Sequence, residues 1–272
     1  MSENKKSMPE RFYALDNDMS LDKIIQAQNS GEPLIGKVVL WNSRTKCLEV
    51  DLGNDYSGCI PAEFVSIYPV FNSTGDVAAS VRSTIGKNVI VTVLRVAYED
   101  EKLNIILSRK ETMYESFNSI SNSIGKQIRC CVTNISSFGI FVDVGNGISG
   151  LIHYTNLCIS RVDKFSDIGI KIGDEITATV VAVDENFHVT LNYKDQFENL
   201  AFSLNPGDLI EATILEPLNK KGYFAYLNPN TAAVIDVPEH LSFNYGDKVV
   251  AIVKGTRTNH PDQLKLSFVS FA

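Results

Sequence analysis

Two phenylalanines three residues apart, Phe138 and Phe141, are the side chains in this 272-residue sequence whose type and spacing suggest recognition chemistry. A phenyl ring on the water side of a sheet is costly. Two such rings close together form a platform on which unpaired bases stack, each base contributing ~1–3 kcal/mol. Burial in a core is the commoner fate of a phenylalanine. Phe141, however, has the opposite parity to Ile140, Val142 and Val144, which places it with Asp143 on the outer face. Phe138 stands at the edge of its strand, where parity leaves its direction open. Groups that would support catalysis are scattered. The four histidines (His153, His188, His240 and His260) form no metal-ligand pattern. Asp184 and Glu185 are adjacent, so their side chains diverge and make a poor acid–base pair. No phosphate-binding glycine loop, nucleophile elbow or zinc-protease motif is present. The expectation is no enzyme and no cofactor.

The elements that must position these rings show as an internal repeat. Ile35-Gly36-Lys37-Val38, Ile124-Gly125-Lys126-Gln127 and Pro206-Gly207-Asp208-Leu209 each open a unit. In each unit a second glycine (Gly86, Gly173 and Gly246) opens a further alternating strand. Each closes on a short strand, Asn104 to Ser108, His188 to Asn192 and Leu264 to Phe268. In the middle unit, period-two alternation predicts strands near 127–134, 138–144, 150–154, 175–183 and 188–193, with Asn146-Gly147 as a turn. Five short strands in a unit of this size fit the five-stranded Greek-key OB barrel.

Two helices complete the layout. Ser20 caps a short one, with Met19 and Ile24 as a hydrophobic staple and Gly31 as its end. A second covers about 109–121, with Met113, Phe117 and Ile120 on one face. The expected architecture is all-β: three tandem OB-fold barrels with a short N-terminal helical segment and a helical connector. The segments are 1–32 (helical), 33–110 (first barrel), 111–123 (helical connector), 124–195 (second barrel), 196–205 (connector) and 206–272 (third barrel).

Composition sets outer bounds. Lys and Arg number 25 against 32 Asp and Glu, a net charge of −7, which argues against coating duplex DNA but not against single strands. No unit is basic overall, so salt dependence should be shallow. The five cysteines (Cys47, Cys59, Cys130, Cys131 and Cys158) include no C-x-x-C spacing and read as reduced, apolar residues. No run approaches the ~20 apolar residues of a membrane helix, and the N-terminus lacks a secretory pattern. A cytoplasmic location without membrane contact is expected.

The middle unit carries a family resemblance. Ser137-Phe138-Gly139-Ile140-Phe141-Val142-Asp143, then Gly150-Leu151-Ile152-His153, Gly173-Asp174, Val183-Asp184 and Val189-Thr190-Leu191 resemble the S-one domain, an RNA-binding OB module. The resemblance implies a nucleic-acid face of Phe138, Phe141, His153, Asp184 and His188, the last standing where the family usually has Arg or Lys. The first unit departs from the pattern: Lys46, Glu49 and Pro61 align with Phe138, Phe141 and His153. Its Ile60-Pro61-Ala62-Glu63-Phe64 resembles the leading domain of the ribosomal member of this family, where such domains dock more than they grip RNA. In the third unit Lys221 and Phe224 take the two Phe positions and Asp236 replaces the histidine. Lys220, Lys221, Tyr223, Phe224 and Tyr226 form a secondary aromatic and basic candidate. The resemblance implies single-stranded RNA (messenger or ribosomal) as partner. It also implies contact with small-subunit ribosomal proteins through residues 1–110. The alternative is a docking adaptor of the ribosome or an RNA-processing complex, with RNA contact secondary.

Overall fold

Among the described residues, alternation of apolar and polar residues builds fifteen strands, and the turns between them decide how each group of five closes. The computed structural model describes residues 13–99, 102–158, 169–219, 222–238 and 240–272. Helix α1 (Leu21–Ser30) precedes strands β1 (Leu34–Asn42), β2 (Cys47–Gly53) and β3 (Tyr56–Pro61). A short helix α2 (Ala79–Arg82) leads into β4 (Asn88–Glu99) and β5 (Lys102–Ser108). Helix α3 (Lys110–Ser121) is followed by β6 (Gln127–Ser136), β7 (Gly139–Asp143), β8 (Ser149–His153), α4 (Tyr154–Leu157), β9 (Glu175–Val183) and β10 (Val189–Asn192). The last strands are β11 (Leu209–Asn219), β12 (Gly222–Asn228), β13 (Thr231–Asp236), β14 (Lys248–Arg257) and β15 (His260–Phe271).

The strands close into three barrels, ordered β1-β2-β3-β5-β4, β10-β8-β7-β6-β9 and β11-β12-β13-β15-β14. In the first, β1 pairs antiparallel with both β2 (Lys37 opposite Asp51) and β4 (Lys37 opposite Asn88), and β3 runs parallel to β5 at Cys59 and Ile106. In the third, β13 runs parallel to β15, with Ala233 opposite Leu264. This is the Greek-key order of the OB barrel expected from the repeat. The middle strands fall within two residues of their predicted bounds. The closing strand of the third unit is longer than expected.

By contact density the chain divides into two compact units. One comprises residues up to Cys131 with Val142–Gly150 and Val180–Val189, and the other Val132–Phe141, Leu151–Thr179 and Thr190–Ala272. The first unit's core joins Val38, Leu48, Val50, Leu52, Ile60, Val91 and Leu107 to Ile24 and Ala27 of α1. The capping residues of α1 behave as the sequence predicts. The Ser20 hydroxyl accepts from the Lys23 amide, Met19 and Ile24 are both buried, and Gly31 is left-handed with its N–H on the Ala27 carbonyl. The second unit's core includes Ile214, Ala225, Ile235, Val249, Ala251, Leu264 and Leu266.

One joint recurs three times. An asparagine in the turn after the second strand of each barrel donates its side-chain amide to the segment that precedes that barrel. Asn54 Nδ2 donates to the Met19 carbonyl at 2.9 Å, ahead of α1. Asn146 Nδ2 donates to Thr112 Oγ1 at 3.1 Å and Ser116 Oγ at 3.4 Å on α3. Asn230 Nδ2 donates to the Phe197 carbonyl at 2.9 Å, in the connector before the third barrel. Asn54 and Asn146 both sit at left-handed φ, 48° and 49°, a conformation asparagine tolerates better than most residues.

Candidate nucleic-acid interface

The site is built on the hairpin of β7 and β8. A Cβ on Gly139 would lie 2.4 Å from the Ile152 carbonyl oxygen and 3.0 Å from His153 Cα, so only glycine lets the two backbones approach this closely. That approach seats the residue before Gly139 beside the residue after His153. The Tyr154 amide donates to the Phe138 carbonyl at 3.0 Å. Phe138 lies just before β7 with 47% of its surface exposed, which settles the direction that parity left open. Phe141, within β7, is half-buried and meets Phe138 edge-on, with ring centroids 5.6 Å apart at 89°. His153 is held by Nδ1 against Thr155 Oγ1 at 2.9 Å, and its ring lies 4.3 Å from that of Tyr154. Phe138, Phe141 and His153 therefore stand together, all in the second compact unit.

Asp184 and His188 belong to the other compact unit, in the turn between β9 and β10. Asp184 Oδ1 accepts from the Asn186 and His188 amides, both at 2.9 Å, and Oδ2 lies 3.2 Å from His188 Nδ1. The His188 amide chiefly holds the exposed Asp184 carboxyl below the usual carboxylate range. The His188 ring stacks on Tyr68 at 6.0 Å and 25°. Between them in sequence, Phe187 is left-handed at φ 64° and sits edge-on to Tyr114 (5.4 Å) and Phe117 (5.1 Å) of α3. The Tyr68 hydroxyl donates to the Phe187 carbonyl at 2.9 Å and accepts from the Ser149 amide at 3.0 Å. Burial pushes the Tyr68 phenol up to about 12, so it stays a donor across ordinary pH. This turn thus joins the β9–β10 end of the middle barrel to the first barrel and α3. Sequence reasoning missed Tyr68, whose partner lies 119 residues away.

The outer barrels bear out the alignment of the three units. The Ala62 amide donates to the Lys46 carbonyl at 3.0 Å, the bond that Tyr154 makes to Phe138. Lys46 therefore takes the Phe138 place and Ala62 the Tyr154 place. Glu49 accepts from Asn42 Nδ2 at 2.9 Å, and Pro61 lies opposite Cys47. In the third barrel Gly222 lies opposite Asp236, and its added Cβ would meet the Ile235 carbonyl at 3.2 Å, as Gly139 meets Ile152. Asp236 pairs with Lys265 at 3.6 Å. Tyr223 packs edge-on to Phe243 at 5.6 Å and its hydroxyl accepts the Phe243 amide at 3.2 Å, so that ring serves the core. Phe224 and Tyr226 are half-buried, and burial raises the Tyr226 phenol. Lys220 and Lys221 lie outside the described residues. Among the described residues no group of His, Cys, Asp and Glu could hold a metal ion, and no helix is long and apolar enough to cross a membrane.

Closed barrels in this order, one carrying paired surface phenylalanines beside a histidine, define a tandem OB-barrel chain. Residues 123–194 match the family model described as the S1 RNA binding domain. Over 202 residues the chain is 29% identical to the small ribosomal subunit protein bS1 homolog of Bacillus subtilis, covering 71% of this chain and 49% of that protein. It is 24% identical over 269 residues to bS1 of Staphylococcus haemolyticus, covering 95% of this chain and 62% of that protein. A 4-hydroxy-3-methylbut-2-enyl diphosphate reductase of Fusobacterium nucleatum is 28% identical over 190 residues, 64% of this chain but 22% of that protein. Residues 123–194 thus carry the likeness to the S1 RNA binding domain, and the chain resembles bS1 over most of its length. It spans about half the length of the Bacillus relative.

Proposed function

We infer that the chain binds single-stranded RNA through its second barrel and works in association with translation, in the cytoplasm. The observation that carries this is the exposed Phe138 crossed at 5.6 Å by the half-buried Phe141, beside His153. Crossed rings of this kind offer a face to one base and an edge to the next, and such stacking tolerates any sequence. His153 adds a polar contact at one side; Asp184 and His188, in the other compact unit, stay exposed in their turn as separate candidate contacts. The messenger or ribosomal strand is the ligand. Each barrel acts as a module (33–110, 124–195 and 206–272), and the linked modules raise affinity through effective concentration. The similarity to bS1 proteins supports the ribosomal setting. The relative named as a reductase overlaps this chain in about a fifth of its own length, 22%.

A second reading, docking to small-subunit proteins through residues 1–110, is favoured by the first barrel. Lys46, Glu49 and Ala62 leave it no aromatic ring at the places of Phe138, Phe141 and Tyr154. Fluorescence anisotropy of a labelled single strand of about 20 nucleotides at ~0.1 M salt tests the first reading against this one. The full chain and a Phe138→Ala/Phe141→Ala variant are compared, with single-stranded DNA and duplex controls. A loss of tenfold or more in the variant is expected. Equal binding moves the RNA site off the second barrel, and no binding by either protein leaves the docking reading.

A further inference from the structure

We propose that Tyr154 and Lys194 extend the RNA face by one nucleotide, the tyrosine stacking the base and the lysine meeting its phosphate. The proposal rests on the RNA-binding reading and deepens it. Tyr154 is half exposed, at 50%, as Phe138 is at 47%. The bond between the Tyr154 amide and the Phe138 carbonyl makes these two exposed aromatic residues immediate neighbours in space. The corresponding residue of the first barrel, in the same bond, is Ala62, so this ring is peculiar to the barrel that carries the phenylalanine pair. Its position is fixed from the other side by His153, whose ring lies 4.3 Å away, tilted at 46°.

A cation stands next to it. Lys194, just past β10, donates its Nζ to the Thr155 carbonyl at 2.8 Å. Thr155 in turn holds His153 Nδ1 through its hydroxyl at 2.9 Å. The lysine is thereby anchored one residue from Tyr154 by a neutral carbonyl, and among the described residues no carboxylate pairs with it. The neighbouring acid, Asp195, is taken up by the Asn192 amide at 2.6 Å. An exposed aromatic face one residue from an anchored ammonium matches the chemistry of a nucleotide: a flat base and a phosphate one linkage away. The net charge of −7 makes an anchored surface cation informative. All of these residues lie in one compact unit with Phe138 and Phe141.

Anisotropy titrations with the full chain test this, using a labelled uridine-rich RNA of about 20 nucleotides. Tyr154→Ala should weaken binding roughly five- to a hundredfold, and Tyr154→Phe should restore it, because stacking needs the ring and not the hydroxyl. Lys194→Gln should weaken binding about threefold and lower the slope of log affinity against log salt by about 0.7, the signature of one lost phosphate contact on a single strand. Phe138→Ala serves as the control on the underlying reading. If Phe138→Ala weakens binding while Tyr154→Ala and Lys194→Gln leave it intact, the face ends at His153 and the proposal fails alone. If none of the three changes binding, the RNA face itself lies elsewhere. Loss in Tyr154→Phe equal to that in Tyr154→Ala would overturn stacking, and an unchanged salt slope in Lys194→Gln would overturn the phosphate contact. Thermal melts of each variant separate these outcomes from misfolding.

Discussion

The Tyr68 hydroxyl and the Phe187 carbonyl meet at 2.9 Å, and the same hydroxyl accepts the Ser149 amide at 3.0 Å. One phenol thus joins the β9–β10 turn and the start of β8 to the loop after β3, and steadies Phe187 in a left-handed conformation that costs about 1–2 kcal/mol. Tyr68→Phe removes both bonds and keeps the ring against His188. It should lower unfolding stability by about 1–3 kcal/mol, read from urea midpoints. The pH dependence carries a sign. Burial raises the folded phenol to about 12, so its contribution is whole below the unfolded value near 10 and is lost as pH rises through about 12. An alkaline loss of stability in that window, diminished in Tyr68→Phe, is the expected result. Equal alkaline unfolding curves would remove Tyr68 from this role.

Gly139 makes a sharper prediction. An alanine there places its Cβ 2.4 Å from the Ile152 carbonyl oxygen, a backbone atom that has no rotamer to give. The β7–β8 hairpin must part, which should cost about 1–3 kcal/mol as an overpacked site does. Because Phe138 and Tyr154 are joined across this contact, RNA affinity should fall together with stability. Phe138→Ala, by comparison, should lower affinity and leave the melting temperature nearly unchanged. Anisotropy and thermal melts on the two variants decide it.

What could be read from the sequence follows the range of the interactions. The Ser20 cap, the Met19–Ile24 staple and the Gly31 terminus act within a few residues, and each stands as expected. Period-two alternation marks Phe141 as the least buried position of β7, but Asp143, of the same parity, is buried, its carboxylate turned to the Gly145 and Gly147 amides. Phe138 lies outside its strand, where that rule has no force. Tyr68 and Phe187 are brought together only by the packing of one barrel on the next, across 119 residues, and no local pattern marks either. Tyr223 misled for a related reason. A cluster of aromatics on one strand looks like a platform until Phe243, from a distant loop, closes over one of its members.

The repeated asparagine joint predicts an ordering. Asn146 is fully buried and donates to two hydroxyls, whereas Asn230 and Asn54 are less enclosed and donate to single carbonyls. Asn146→Ala should therefore destabilise most, by about 2–3 kcal/mol, combining lost buried bonds with a left-handed alanine. Asn146→Gly separates the two causes, since glycine accepts the backbone conformation and loses only the bonds. The glycine variant should recover about 1 kcal/mol of the loss in urea melts. A glycine variant no better than alanine would assign the whole effect to the bonds.

Asp184 discriminates between holding a turn and touching RNA. Its carboxylate takes the Asn186 and His188 amides and faces His188 Nδ1, so its first work is the β9–β10 turn that carries Phe187. With the folded carboxyl held below its ordinary value of 3.8, the turn keeps its full strength above that value and loses it as pH falls through the depressed one. Carbon-13 titration of the aspartate carboxyls should show Asp184 among those still ionised below the ordinary midpoint. In Asp184→Ala, whose turn loses those bonds, stability should fall even without RNA present. Asp184→Asn keeps the side chain's acceptor oxygen and should fall less. If RNA affinity drops in Asp184→Asn while its melting temperature holds, the carboxylate itself contacts RNA. If affinity follows stability through both variants, Asp184 serves the turn, and the strand is gripped on the Phe138 face.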